Sequence, residues 1–496
     1  MKEIDVQKIL SDTSHYDRIA EALENVSLQS SAADLHMFYS AMTQVFGTLA
    51  KTGKLTSGHN KDLMGEKISG WLLDQLKDYE NISMSFLSSS LREVSQLSFE
   101  ALLKVAMIRG KYLNSQYEAL FQQIIRVQLL SCEGGVSEFW LPMLEKYADV
   151  RFYFFRALAV VLKSLSSEDG NESIVEKNIE LAKARSFSFF ESFKDYPQRE
   201  SDLAGWYCGK PNKSDPPTTP YGGSIVKLGP HKAAAQDAWL AFLNLPLSLG
   251  EMKRILGVLH VHAIPNIAKP QLLMDFLTDA YDFGGATALL ALNSVFLLIQ
   301  EHNLDYPKFF QKLYLLLSDG SLFSSTHRSR FLRLLDLFLT STHLPAAIVA
   351  SIIKRMARAG LYSPPGAIIA IIPFIYNQLK RHPTCMVMVH RNANVIGAEA
   401  DPFNPMETDP LRTRAIESSL WELEALTNHY QPNVSALAKI FNQPFHKPRY
   451  QLEHFLTHSY DTLYNTQQAR IGQGGATLEY EEVSAFQEGS FLDVWH

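Results

Sequence analysis

Residues able to do chemistry are plentiful in this sequence, but their spacing does not assemble them into a site. His260 and His262 are two positions apart. On a helix that separation points them in different directions, whereas a helical metal pair needs histidines four apart, as in His-Glu-x-x-His, and that motif does not occur. Gly222-Gly223-Ser224-Ile225 lacks the Gly-Lys-Ser/Thr ending that lets a loop cradle phosphate. There is no Gly-x-Ser-x-Gly elbow to expose a nucleophilic serine. His302, His327, His343, His382 and His390 are scattered without an acid or nucleophile partner. No catalytic, cofactor-binding or metal-ligating residue is assigned, and the reading is of a protein that is not an enzyme.

The polar residues that do form a pattern are basic. On a helix over 346–359, Ile348, Val349, Ile352, Ile353 and Met356 make one stripe. Lys354, Arg355 and Arg358 project from the other side. Arg330 and Arg333 lie on the polar face of the preceding helix, with Asp336 three residues on and able to pair with Arg333. Lys380 and Arg381 close the helix that follows. Trp421 sits among Arg414, Glu417 and Glu424, opposite much of a stripe formed by Ile416, Leu420 and Leu423. Such a tryptophan is either packed beneath a neighbouring repeat or an interface anchor. Arg330, Arg333, Lys354, Arg355, Arg358, Lys380, Arg381 and Trp421 are therefore the candidate surface for a partner or RNA. An ordinary solvated face is the alternative.

Charge bounds that idea. The chain of 496 residues has 46 basic and 52 acidic side chains, a net −6. Residues 233–381 hold 13 basic against 9 acidic, which leaves the remainder at net −10. A chain-wide basic surface is excluded, but a mildly basic block is not. Three cysteines, Cys132, Cys208 and Cys385, lie far apart and cannot make a disulfide framework or a zinc site. The first residues carry early charges and no apolar secretory core, so a nuclear or cytoplasmic setting is expected.

The elements that carry these residues read as helices throughout. In 1–196, apolar residues recur three and four apart over Asp17–Val26, Ala32–Lys51, Asp62–Lys77, Arg92–Ile108, Gln116–Leu130, Ser137–Lys146, Val150–Leu165 and Ser173–Phe193. Residues 197–231 are rich in proline and glycine and read as a linker or long loop. The main boundary of the chain is placed there. Trp206, Tyr207 and Tyr221 suggest that this segment docks rather than tumbles. Residues 232–465 are helical again, with one helix expected over 410–427, capped by Asp409 and begun by Pro410. Residues 466–496 carry little core and are expected to be an acidic flexible tail. Close-coupled helices of this kind predict an all-α fold, a degenerate HEAT/armadillo-like α-solenoid.

Two runs without charge, Phe283–Gln300 and Ala359–Leu379, raise the alternative of membrane spans. The first is 18 residues long and contains Asn293, Ser294 and Gln300. Pro364, Pro365 and Pro373 interrupt the second. Both read better as buried solenoid helices, and a charge at Leu292 or Phe296 is then expected to be strongly destabilising.

Longer phrases carry a family resemblance. They include Gln271-Leu272-Leu273-Met274-Asp275-Phe276-Leu277, the stretch from Gly284-Gly285 to Tyr306-Pro307, and Asp336-Leu337-Phe338-Leu339-Thr340-Ser341-Thr342-His343-Leu344-Pro345. Arg381-His382-Pro383, Asp401-Pro402-Phe403 and Ala415-Ile416-Glu417-Ser418-Ser419-Leu420-Trp421-Glu422-Leu423 extend them. Through these, residues 232–441 resemble the nucleolar complex family that shares a CCAAT-binding-factor domain, in the animal form of its fourth branch. The resemblance implies a non-enzymatic scaffold of the nucleus and nucleolus. It implies membership of the small-subunit processome, with a role in pre-rRNA processing and in small ribosomal subunit assembly and export. Nucleolar protein fourteen is the implied partner, with other processome proteins and pre-rRNA beside it. It supplies no list of functional residues. A multi-pass nuclear-envelope protein, spanning through the two uncharged runs, and a chromatin or transcription adaptor are the alternatives.

Overall fold

The structure is a computed structural model. It describes residues 6–11, 13–26, 32–55, 63–89, 91–113, 117–130, 136–167, 172–209, 225–302, 308–320, 322–325, 327–341, 344–390 and 401–471. Cys132, the glycine-rich 222–224, Tyr306-Pro307, His343 and residues 472–496 of the expected tail lie outside that set. Helices and no strands are found among the described residues, so the fold is all-α and of the solenoid type.

Two compact units make up the chain. The first comprises residues 1–283 and 290–305, the second 284–289 and 306–496. In the first unit the helices are α1 (Val6–Ser11), α2 (Asp17–Glu24), α3 (Ala32–Lys51), α4 (Leu63–Leu87), α5 (Arg92–Ile108) and α6 (Tyr117–Leu130). They continue with α7 (Val136–Lys146), α8 (Ala148–Ser166), α9 (Glu172–Ser192), α10 (Leu228–Leu243), α11 (Leu249–His262) and α12 (Met274–Asp282). Many of these helices pack on the one two places along. One row runs α1, α3, α5, another α4, α6, α8, α10, and a third α7, α9, α11. Alternate stacking buries the amphipathic face of every repeat against the next, which is how a chain of short helices acquires a continuous core. Aromatic rings fill it. Trp140 and Trp239 are fully buried, and Phe190 stacks on Trp239 with centroids 4.0 Å apart. The N-terminus of α11 is fixed by a reciprocal capping box between Ser248 and Glu251.

The boundary expected at 197–231 is not where the chain divides, because helices on both sides of it pack together as α8 and α10 in one unit. The segment that leaves α9 is docked on the α7–α8 junction. Asp149, in the first turn of α8 and almost fully buried, accepts backbone N–H groups from Tyr207 at 2.9 Å and Cys208 at 2.8 Å. The Ala148 N–H donates to the Gly205 carbonyl at 2.8 Å. Tyr207 stands edge-on to Tyr147, 4.9 Å away. The backbones approach so closely that a Cβ on Gly205 would lie 1.8 Å from the Lys146 carbonyl oxygen. His231, in the first turns of α10, is buried and reaches back to the Ile225 carbonyl at 2.8 Å, and burial lowers its pKa to about 4.

The division passes through α13 (Gly285–His302). Gly284 and Gly285 take φ of +75° and +55°, a left-handed turn that only glycine adopts without strain. Leu289, Leu292, Val295 and Leu298 are buried, whereas Phe296 is only half-buried and Phe283 is exposed. Among the described residues no helix is long and apolar enough to cross a membrane. The second uncharged run is broken into two helices at 361–364.

The second unit contains α14 (Phe309–Leu316), α15 (Arg328–Phe338), α16 (Ala346–Gly360), α17 (Pro365–Arg381), α18 (Trp421–Leu426), α19 (Pro432–Ala438), α20 (Glu453–Leu456) and α21 (Tyr460–Ile471). The alternate pattern recurs, with α14, α16, α18 in one row and α15, α17, α19 in the other. Pro364 as N-cap and Pro365 at the first position start α17, where a missing N–H costs nothing. Every side chain from Pro365 to Leu379 is buried, as a helix apolar all round requires. The long helix expected over 410–427 is not formed. Asp409 makes a local turn to the Leu411 N–H, Arg414 takes φ of +59°, and only a short 3₁₀ turn at 415–417 precedes α18. Residues 466–471, expected in the tail, continue α21.

Two substitutions check these placements. Gly205→Ala is expected to cost about 3 kcal/mol by forcing the docked segment off the α7–α8 junction, seen as a lower Tm and faster proteolysis near residue 205. Leu292, 1% exposed, is the sharper probe of α13. Leu292→Asp is expected to cost about 3 kcal/mol or more through a buried carboxylate without a partner, and an unchanged Tm would contradict its burial.

Candidate functional site

Most of the predicted basic side chains face not solvent but a second layer of their own chain. Residues 401–426 run across α16 on the side opposite its isoleucine stripe and cover it. Lys354 is the clearest case. It is 0% exposed, so the expectation of a solvated lysine is corrected. Its ammonium donates to the Ser419 carbonyl at 2.6 Å and Glu422 Oε2 at 3.0 Å and pairs with Asp401 Oδ2 at 3.0 Å. An ammonium has three donors, and three oxygens meet them. Glu422 is itself fully buried, and Trp421 and Phe403 lie over the cation with centroids 5.4 and 5.9 Å away.

The cluster is electrostatically closed. Burial pushes the Glu422 carboxyl above its ordinary value, with the Lys354 bond acting against it. Burial would raise Asp401 too, but hydrogen bonds from Ser418, Trp421, the Phe403 backbone and Lys354 outweigh it and hold its carboxyl at about 2. That depression contributes stability which is present at neutral pH and lost as pH falls from about 4 towards the folded value.

The neighbouring cations are committed in the same way. Arg355 donates to the carbonyls of Tyr314 at 2.9 Å and Pro405 at 2.8 Å and lies 3.7 Å above the Tyr314 ring. Arg358 stands over Phe403 at 5.6 Å. Ser351, one turn before Arg355, binds the Pro410 carbonyl at 2.6 Å and Thr413. Arg333 does not pair with Asp336. It makes a two-pronged bond to Glu453, both arms 2.7 Å, while Asp336 accepts from Arg381 at 3.0 Å and Gln378 at 2.7 Å. Lys380 donates to the Lys447 carbonyl. Arg330 is half-buried, and burial lowers its pKa, with no hydrogen bond or ion pair among the described residues. Trp421 is 45% exposed and donates to Asp401 Oδ2 at 3.0 Å, so one side of the ring covers Lys354 and the rest meets solvent.

The sequence-predicted residues therefore converge in part. Lys354, Arg355, Arg358 and Trp421 form one cluster that staples residues 401–426 to α16, and Arg333, Lys380 and Arg381 hold segments to α15 and α17. Reading one helix at a time missed Glu422, Asp401 and Ser351. The usable signal was an uncompensated lysine amid an apolar helix together with a Trp-Glu pair far along the chain. No group of three or more His, Cys, Asp or Glu side chains fit to hold a metal occurs among the described residues.

Paired helices stacked in alternate rows, with irregular segments pinned across them by buried charges, define a helical-repeat protein. Two family models match it: the CBF/Mak21 family over residues 288–438, and the TPR repeats of Nucleolar complex protein 4-like proteins over residues 4–167. Nucleolar complex protein 4 of Saccharomyces cerevisiae is 32% identical over 93% of this chain and 89% of its own length. The mouse Nucleolar complex protein 4 homolog is 36% identical over 82% of this chain and 80% of its own. An uncharacterised protein of Schizosaccharomyces pombe is 39% identical over 89% of both. The chain belongs to the Nucleolar complex protein 4 family.

Charge deletion separates a structural cluster from a solvated one. Lys354→Ala leaves the fully buried Glu422 carboxylate without its cation and is expected to cost about 3–5 kcal/mol. Lys354→Met combined with Glu422→Leu removes charge from both sides and is expected to recover most of that loss in chemical denaturation. Wild-type stability of Lys354→Ala would show the lysine to be free.

Proposed function

We propose that this protein is a non-enzymatic scaffold of the nucleolus that supports assembly of the small ribosomal subunit. It acts within the small-subunit processome, in pre-rRNA processing and in subunit assembly and export, and pairs with nucleolar protein fourteen through its C-terminal half. The observation that carries this reading is similarity along nearly the whole chain, 93% of it, to a protein named for the nucleolar complex. An all-helical body with cations committed to internal staples is compatible with it, because such a fold offers extended surface to partners. Of the predicted surface, Arg330 and the exposed edge of Trp421 are left for a partner. The nuclear-envelope alternative finds no support among the described helices.

Depletion tests the proposal. Mature small-subunit rRNA is expected to fall while large-subunit rRNA persists, and affinity purification of the tagged chain is expected to recover processome proteins. Normal small-subunit processing after depletion would refute the assignment.

A further inference from the structure

From residue 425 to residue 452 the chain carries no aspartate or glutamate, although it carries Lys439, Lys447 and Arg449. In a chain of net −6 this is an unusual stretch, and it contains the loop 443–450, which lies against α17. His446, Lys447 and Arg449 are all exposed there, and none has an acidic partner among the described residues. This sets them apart from Lys354, Arg355 and Arg381, whose charges are used internally.

The loop is held rather than free. Phe445 stacks on Tyr376 with centroids 4.8 Å apart and planes 7° from parallel. Tyr376 Oη donates to the Lys447 carbonyl at 3.1 Å, and Lys380 donates to the same oxygen. Asn377 closes the far end with a reciprocal pair. Its Nδ2 donates to the Tyr450 carbonyl and its Oδ1 accepts the Tyr450 N–H, both at 2.8 Å. Pro444 and Pro448 restrict the remaining backbone. The clamp uses carbonyls, amides and the packing of Phe445 and Tyr450 on Tyr376, and leaves the imidazole, ammonium and guanidinium of the loop unspent. Phe445 and Tyr450 remain partly exposed beside them, and Tyr430 of the same acid-free stretch is 78% exposed.

We propose that the 443–450 loop is a contact for single-stranded RNA, with Lys447 and Arg449 on phosphates and the neighbouring rings available to bases. Fixed cations neutralise phosphate at low entropic cost, and aromatic faces stack any base. An acidic peptide would use the charges but not the rings, so RNA matches more of the surface. The inference deepens the scaffold reading and rests on it for the source of the RNA, yet its test does not.

The test measures binding of the full chain to a labelled, unstructured RNA of about 20 nucleotides by fluorescence anisotropy over a salt series. Lys447→Gln with Arg449→Gln is expected to weaken binding about tenfold and to flatten the slope of log affinity against log salt by about 1.4, as loss of two phosphate contacts requires. Arg412→Gln, at a side chain 78% exposed outside this loop, is expected to leave both unchanged. Thermal melting confirms that the double variant is folded. Equal affinity and slope for wild type and double variant would overturn the proposal, as would binding of a labelled polyglutamate peptide with no binding of RNA. Either failure would leave a processing defect after depletion intact, whereas normal processing with RNA binding retained would strike the scaffold reading alone.

Discussion

A buried ammonium is tolerable only when every one of its protons has an acceptor, and that condition at Lys354 organises the second unit. Moving an uncompensated cation out of water costs several kcal/mol. The acceptors come from Asp401, Ser419 and Glu422, from 47 to 68 residues further along the sequence by the separations of those residues. Neither α16 nor the 401–426 segment is complete alone. The helix supplies a cation that must be covered, and the segment supplies the buried Glu422 carboxylate that must be neutralised. Arg355 and Ser351 then bind main-chain carbonyls of the same segment, which turns one ion cluster into a continuous seam.

The first unit solves a similar problem with the opposite charge. Asp149 is a buried carboxylate whose acceptors are filled by backbone N–H groups of residues 207 and 208. Irregular chain cannot be buried unless its polar groups are met. In both units a charged side chain on a regular helix meets polar groups of a largely irregular segment packed against it. Surface pairs such as Arg333 with Glu453 are of a different kind, half-exposed and worth little individually.

Much of this was legible from sequence, and the boundary of legibility has a physical cause. Apolar spacing identified nearly all the long helices, and a helix without a polar face, α17, was recognised as buried. Composition alone placed the break at 197–231, because proline and glycine report the absence of helix and not the absence of contact. Gly205 shows the difference, being a glycine that permits close packing. The 410–427 helix failed because Asp409 and Pro410 also begin turns, and Arg414 in a left-handed conformation ended the matter locally. The basic face was misread since a helical wheel knows one helix. It could see that Lys354 opposed the isoleucines but not that Glu422 would lie over it. The acid-free run at 425–452 was visible in the sequence, and only the clamp on Tyr376 and Asn377 gives it a shape.

The envelope of α17 bears on the order in which the unit can form. Its first turn is crowded by the His458 carbonyl, which a Cβ on Gly366 would approach to 2.6 Å and which Arg328 binds from the neighbouring helix. Its last turns are closed by residues 447–450. During synthesis α17 emerges long before either cover exists, so parts of an apolar helix must wait uncovered while 92 residues separate Gly366 from His458. Such a chain is exposed to misassociation over that interval. A nascent chain stopped short of residue 458 would retain most of its helices and still lack a closed core, which makes this late segment the step that commits the second unit to its final form.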